Sequence, residues 1–215
     1  MSLAIFDLDN TLIAGDSDYL WGEFLVENKL VDIDWYQSQN KKFFAQYKTG
    51  ILNINEWLEF QLQPLTKFTL EQLDKLSAQF IISKIKPIVL NKAQDKIEFH
   101  RQRNDDLLII TATNRYISRP VADLLSIDTL LATTPEIIDD RFTGRTTGVI
   151  TYQEGKITAL TNWLQNKQYS TTYFYSDSHN DLPLLEFVDV PIAVDPDEIL
   201  AKQAQHNNWQ IISFR

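Results

Sequence analysis

The N-terminal stretch Leu3-Ala4-Ile5-Phe6-Asp7-Leu8-Asp9-Asn10-Thr11 sets four apolar residues directly against two carboxylates. A short, wholly apolar run that breaks off into charge is what a strand buried on both faces leaves in a sequence when its carboxyl end opens on a site. Asp7 and Asp9 are two residues apart, so if the extended backbone continues past the strand, their side chains point the same way and share a pocket. At the edge of a sheet such a pair can bind a metal, attack a substrate or transfer a proton. Read alone, it is also what a solvated turn carries.

Two more apolar runs end in the same way. Leu107-Leu108-Ile109-Ile110 gives way to Thr111-Ala112-Thr113-Asn114, and Tyr173-Phe174-Tyr175 runs into Ser176-Asp177. Pro191–Val194 and Ile211–Phe214 can supply further strands. Helical segments near Ile117–Leu125 and Lys156–Gln165 lie between them, and Phe142–Tyr152 reads as a small hairpin carrying Gly144 and Gly148. Strands alternating with helices predict an α/β fold, a Rossmann-like parallel sheet covered on both faces. From Asp16 to Lys86 the periodicity becomes helical, with Tyr19, Trp21, Phe24 and Leu25, then Phe43, Phe44 and Tyr47, then Trp57, Leu58 and Phe60. The expected organisation is a sheet domain of residues 1–15 and 87–215, interrupted by a helical lobe of residues 16–86.

The chain has 215 residues, enough for one substantial core plus a lobe, and its 44% hydrophobic and 23% charged residues predict a folded globular protein. With 20 Lys and Arg against 29 Asp and Glu, the formal charge is −9 and no dense basic run occurs. Nucleic acid is therefore not an expected partner. An acidic protein that handles anions must concentrate positive charge locally, through a metal or a few basic side chains. The absence of cysteine excludes disulfides, thiolate catalysis and sulfur-ligated metals. His100, His179 and His206 are scattered, which argues against zinc, and His179 is expected to face solvent. No apolar run approaches membrane-spanning length and no export signal is evident, so no membrane partner and a cytoplasmic location are expected.

Asp7-Leu8-Asp9-Asn10-Thr11 resembles the first motif of phosphatases of the haloacid dehalogenase superfamily. Thr111 after its apolar run resembles the second motif, Lys156 in Glu154-Gly155-Lys156 the third, and Ser176-Asp177-Ser178-His179-Asn180-Asp181 the fourth, all in family order. Singly, Thr111 is also a strand-end cap, Lys156 a surface charge opening a helix, and Asp177 with Asp181 a solvated loop. The position of the helical lobe, between the first and second motifs, resembles the C1-type cap of the phosphoserine-phosphatase-like branch, subfamily IB. A cap there closes over small molecules.

The resemblance implies a magnesium-dependent phosphomonoesterase in which Asp7 is the covalent nucleophile. Mg2+ would be held by the Asp7 carboxylate, the Asp9 backbone carbonyl and Asp177, with Asp181 supporting them. Lys156, the Thr111 hydroxyl and the Ala112 backbone N–H would stabilise the transferring phosphoryl group, Asn180 would orient the site around it, and Asp9 would act as acid and then as base. These roles also make physical sense, because a carboxylate attacking a like-charged phosphate needs its repulsion offset.

The resemblance also bears on the substrate, a small phosphate ester. In phosphoserine phosphatases an acidic residue nine positions after the nucleophile receives the substrate ammonium, and Asp16 stands there. The cap arginine that receives the substrate carboxylate has no counterpart, since the first arginine is Arg101. Asp16 and Asp18 with Tyr19, Trp21, Trp57 or another cap aromatic could instead hold an amine and a flat ring, and bacterial histidinol-phosphate phosphatases occur in the same branch. L-Histidinol phosphate is therefore the leading expectation, with phosphoserine, another metabolite or phosphotransfer as alternatives. From a different class, a receiver-like or phosphate-sensing protein without turnover is also conceivable. Arg115, Arg119 and Arg145 could approach the substrate or serve as ordinary surface partners. Spacing sets neither that choice nor the oligomeric state.

Overall fold

The structure, a computed structural model, describes residues 1–165 and 167–215. In chain order the elements are β1 (Leu3–Phe6), helices α1 (Ser17–Glu27), α2 (Ile33–Lys48), α3 (Ile54–Leu62), α4 (Leu70–Phe80) and α5 (Asn91–Gln102), then β2 (Asp106–Thr111) and α6 (Arg115–Leu124). There follow β3 (Thr129–Ala132), the pair β4 (Thr134–Ile138) and β5 (Arg141–Thr147), α7 (Glu154–Leu164), β6 (Thr172–Ser176), α8 (Leu182–Phe187), β7 (Val190–Val194), α9 (Glu198–His206) and β8 (Gln210–Ile212). Six strands form one sheet in the order β3-β2-β1-β6-β7-β8, with every neighbouring pair parallel. The fold is thus α/β with a parallel core sheet.

Alternation along β1 explains the layering. Ala4 and Phe6 belong to an apolar cluster with Ala93 and Ile97 of α5, Ile117 and Val121 of α6, and the helical insert. Leu3 and Ile5 point to the opposite face, with Leu160 of α7, Leu184 and Leu185 of α8, and Leu200 and Ala204 of α9. All four β1 side chains are fully buried, which is why the run carries no polar residue until it leaves the sheet.

Helices α1–α4 lie between β1 and β2 and start on side-chain caps. Asp16, Asp32, Asn53 and Thr69 each accept a first-turn backbone N–H, and Thr69 with Gln72 completes a capping box. Their interior is aromatic. Trp21 stacks on Phe24 with centroids 5.4 Å apart and meets Phe80 edge-on at 5.1 Å, while Tyr36, Phe43 and Trp57 surround Phe60 at 4.4–5.8 Å. Among the described residues no helix is long and apolar enough to cross a membrane.

The hairpin lies upstream of its expected position. It is β4–β5, turning at Asp139-Asp140, both in the left-handed region with φ of 49° and 57°. That is the geometry a two-residue hairpin turn requires, and aspartate tolerates it. Gly144 therefore lies within β5, and Gly148 follows the strand. Strand β3 was not expected, because Thr129-Leu130-Leu131-Ala132 is too short to stand out. The last strand ends at Ile212, two residues before the expected Phe214.

Candidate active site

The carboxyl ends of β1, β2 and β6 lie side by side at the centre of the sheet, where a parallel α/β fold opens a crevice. The chain leaves β1 through Asp7-Leu8-Asp9 and turns at Asn10, whose φ of 57° is a conformation asparagine tolerates better than most residues. The turn brings the Thr11 hydroxyl back to 3.4 Å from Asp7 Oδ2 and 3.1 Å from Asp177 Oδ1, and the same oxygen accepts the Asp177 N–H at 3.1 Å. The two carboxylates therefore flank one hydroxyl, although they are separated by most of the chain.

Lys156 is buried in the first turn of α7. Gly155 permits this placement, because a Cβ there would lie 1.9 Å from the Ile150 carbonyl oxygen. Lys156 Nζ donates to Asp7 Oδ1 at 2.8 Å and lies 2.8 and 2.6 Å from the two Asp181 oxygens, with only 3% of its side chain exposed. Burial alone would favour the neutral amine, but the Asp181 and Asp7 charges outweigh it and keep the ammonium charged. The Ser176 hydroxyl donates to Asp181 at 2.7 Å and fixes that carboxylate from below.

Asp9 is held differently. Its Oδ1 accepts the Ser17 N–H at 2.6 Å, and its Oδ2 accepts from Thr113 Oγ1 at 2.7 Å and from Thr111 Oγ1 at 3.4 Å. Burial pushes its carboxyl upward, and those hydrogen bonds from Ser17 and Thr113 oppose the shift. Burial also pushes Asp7 up to about 7, against Lys156 and with help from Asp181 and Asp9. Asp177 is driven well above the usual carboxylate range by burial, then by Asp7 and Asp181.

Four carboxylates thus gather around one ammonium, an excess of negative charge that a hard divalent cation would balance. Among the described residues no three His, Cys, Asp or Glu side chains form a metal cage by themselves. A cation here would also need backbone carbonyl or water ligands, which suits magnesium. The donor set of Asp7, Asp177 and the Asp9 backbone carbonyl fits that description.

A pocket of about 490 Å³, counting its mouth, opens beside Asp7 and Asp9 and extends under the helical insert, past Thr111, Ala112 and Thr113 to Asp16, Asp18 and Trp57. Phe43, Phe44, Tyr47 and Tyr152 complete its aromatic wall, and no Lys, Arg or His is among the residues that line it. Asp16 caps α1 through the Tyr19 N–H at 2.8 Å; burial and then the Asp9 charge push it up to about 7. Asn180 is buried beside the tyrosines of that wall. It accepts from the Tyr152 hydroxyl at 3.1 Å and donates to the Tyr47 carbonyl at 3.3 Å, tying the loop after β6 to the end of α2.

The structure thus brings together Asp7, Asp9, Asp16, Thr111, Ala112, Lys156, Asp177, Asn180 and Asp181. Other residues named in the sequence reading lie elsewhere. Trp21 is buried in the insert's core, and Tyr19 packs against Phe44 at 4.8 Å outside the pocket wall, leaving Trp57 from that trio. Arg115 and Arg119 donate to the carbonyls of residues 127, 128 and 130, and Arg145 pairs with Glu136. His179 does not face solvent. Its Nδ1 lies 2.7 Å from Asp197, and Nε2 abuts Gly50 at the end of α2. Thr11, Thr113, Tyr47 and Tyr152 belong to the site and were not foreseen, although Thr113, two residues beyond Thr111, was accessible to the same period-two reasoning as the Asp7 and Asp9 pair.

Comparison with known proteins follows the same pattern. The haloacid dehalogenase-like hydrolase family model matches residues 4–186. This chain belongs to the haloacid dehalogenase-like hydrolases. Over 220 aligned residues, covering 100% of the chain and 99% of the relative, the hydrolase is 40% identical to the histidinol-phosphatase of Neisseria meningitidis serogroup C (strain 8013). It superposes with a TM-score of 0.93 and 35% identity on a crystal structure of a protein of unknown function from Bordetella pertussis Tohama I, covering 100% of this chain and 99% of that one. A phospho-aspartyl intermediate analogue of phosphoserine phosphatase shares 17% identity with a TM-score of 0.73, over 99% of this chain and 93% of that one, a likeness of fold. The hydrolase is an enzyme of the phosphoric monoester hydrolase class, as its four motifs implied.

Proposed function

We propose that the hydrolase removes phosphate from a small amine-bearing ester with a flat ring, L-histidinol phosphate being the leading candidate, through an aspartyl phosphate on Asp7. The observation that carries this reading is the pocket wall: Asp16, Asp18 and five aromatic side chains, with no Lys, Arg or His among the lining residues. The 40% identity to a histidinol-phosphatase along the full chain supports it.

In this mechanism Asp7 attacks phosphorus and the bond to the leaving alkoxide breaks, while Asp9 donates a proton to the departing oxygen. Asp9 then takes a proton from the water that attacks the phosphoryl-enzyme, releasing inorganic phosphate and restoring the Asp7 carboxylate. Lys156 shifts part of its hold from Asp7 to the phosphoryl oxygens, and the Thr111 hydroxyl with the Ala112 N–H supplies further donors. Magnesium, held by Asp7, Asp177 and the Asp9 carbonyl, would supply charge that screens the phosphate from the carboxylates. Asp181 keeps Lys156 in place. Helices α1–α4 act as a cap over the small substrate and exclude water during the first step, in an enzyme we place in the cytoplasm.

Phosphoserine is the second reading, and one feature favours it. Lys48 lies over the Phe44 ring at 4.7 Å, and its charge reaches Asp16. Lys48 does not line the pocket, but in this reading it receives the substrate carboxylate, as a point charge rather than a bidentate fork. The deciding experiment is phosphate release with magnesium from L-histidinol phosphate, phosphoserine, a sugar phosphate and an aryl phosphate, with an EDTA control. Preference for histidinol phosphate is expected. Preference for phosphoserine would shift the recognition to Lys48, and magnesium-independent release or none would overturn the mechanism.

A further inference from the structure

We propose that Asp18 determines specificity by accepting a hydrogen bond from a ring nitrogen of the substrate, so that the site selects phosphate monoesters carrying an N–H donor besides the ammonium near Asp16. This inference rests on the reading of the pocket given above.

Asp18 lies in the first turn of α1, 4% exposed, at the pocket wall formed with Asp16, Phe43, Trp57 and Thr113. Its position is fixed from two sides. Asn114 Nδ2, reaching across from the start of α6, donates to Asp18 Oδ1 at 3.2 Å, and Asn114 Oδ1 itself accepts the Ile117 N–H at 3.3 Å. Gln61 Nε2 donates to the Asp18 backbone carbonyl at 3.3 Å, and Tyr36 holds the Gln61 side chain in turn at 3.4 Å. Among the described residues no Lys, Arg or His lies within ion-pair distance of Asp18, so neutral donors alone face this buried carboxylate. Burial, followed by the Asp16 and Asp9 charges, pushes it well above the usual carboxylate range.

A buried carboxylate without a cation is disfavoured in a structural role, because the same volume filled by an amide or an apolar group would avoid the desolvation. The neighbouring wall supplies only neutral donors: the Trp57 and Thr113 side chains hydrogen-bond Asp18 and pull its carboxyl partly back, Phe43, Phe44, Leu52 and Ile54 have no side-chain donors, and no lining residue brings a compensating positive charge. The occupant of the pocket can supply it. Asp16 and Asp18 then divide the substrate between them, one meeting the ammonium and the other the ring, with Trp57 and Phe43 lying against the ring's flat surface.

The test is a cycle of substrate against mutation, using L-histidinol phosphate and L-phenylalaninol phosphate, which share the amine and the phosphate but differ in the ring nitrogens. The wild-type enzyme is expected to prefer the imidazole ester by about 10⁴-fold in kcat/KM, as a site built to hydrogen-bond a ring N–H rejects an analogue without one. In Asp18→Ala, or in Asp18→Leu should the alanine variant not fold, the ratio should collapse to less than a tenth of the wild-type value. Asp18→Asn keeps the Asn114 bond and removes the charge, so it should melt at or above the wild-type temperature at pH 8, whereas a structural carboxylate would give a lower one. An unchanged preference in the Asp18 variants overturns the proposal and leaves the pocket reading standing. A wild-type enzyme that ignores amine-bearing esters removes the pocket reading, and this inference with it.

Discussion

Replacing Lys156 with methionine keeps the aliphatic stem and removes the one ammonium that holds Asp7 and Asp181 together. The side chains involved are 3%, 9% and 4% exposed, so water cannot take over the interaction. Breaking a buried pair by deleting one partner costs roughly 3–5 kcal/mol. At about 2–4 °C of melting temperature per kcal/mol for a domain of this size, the variant should melt roughly 6–20 °C below wild type at pH 8. The deficit must depend on pH, with a definite sign. Asp7 is already pushed up to about 7 with Lys156 beside it, and it rises further once the ammonium is gone. The variant's native state therefore binds extra protons, and its stability relative to wild type falls as the pH rises. Thermal melts followed by circular dichroism at pH 5.5 and pH 8, with EDTA in both samples, should show the smaller deficit at the lower pH. Turnover measured with magnesium should drop by about 10²–10³, the loss expected when a donor to the transferring group is removed. A melting temperature within about 2 °C of wild type at pH 8, or an equal deficit at both pH values, would refute the account of the ion triad.

Asp7→Asn removes the nucleophile with little change in volume; phosphate release should fall by about 10⁴-fold or more with an unchanged circular dichroism spectrum, and substantial turnover would sink the covalent mechanism. Because burial raises Asp7 to about 7 and drives Asp177 above the usual carboxylate range, protons compete with magnesium for the same oxygens. Titration calorimetry should find tighter Mg2+ binding at pH 8 than at pH 6, and a pH-independent affinity would contradict the assigned ligands. Gly155→Ala would set a methyl group 1.9 Å from the Ile150 carbonyl; about 3 kcal/mol or more of lost stability in urea melts is expected, and wild-type stability would show that this approach is not tight.

The central strands were legible because burial on both faces leaves an unbroken apolar run, and the site residues at their ends were legible because charge stands out against it. Asp7 and Thr111 follow such a run directly, and Asp177 follows one after Ser176. What escaped was information the chain holds only after folding. Tyr47 and Tyr152 are ordinary aromatics in sequence, and their approach, with centroids 6.4 Å apart, depends on a helix of the insert meeting a loop of the core. His179 was expected to face solvent because nothing nearby in sequence pairs with it; its partner, Asp197, comes from the cap of α9. His100, another isolated histidine in sequence, is buried between Asp105 at 2.9 Å and the Tyr175 hydroxyl at 2.8 Å. The hairpin was misplaced because glycine is the usual mark of a tight turn, and here two aspartates make it.

β1, the first of the described strands, sits in the middle of the sheet. Its neighbours are β2, about 100 residues later, and β6, about 170 residues later, so pairing on both sides needs the greatest sequence separations in the fold. At synthesis rates of about 5–20 residues per second, β1 waits roughly 8–35 s for its second partner. During that interval Leu3-Ala4-Ile5-Phe6 is an apolar strand with an open edge, and its protection falls to the ribosome surface and to chaperones. A chain that stalls before β6 emerges carries the Asp7 carboxylate without its site and presents that open edge to the next nascent chain.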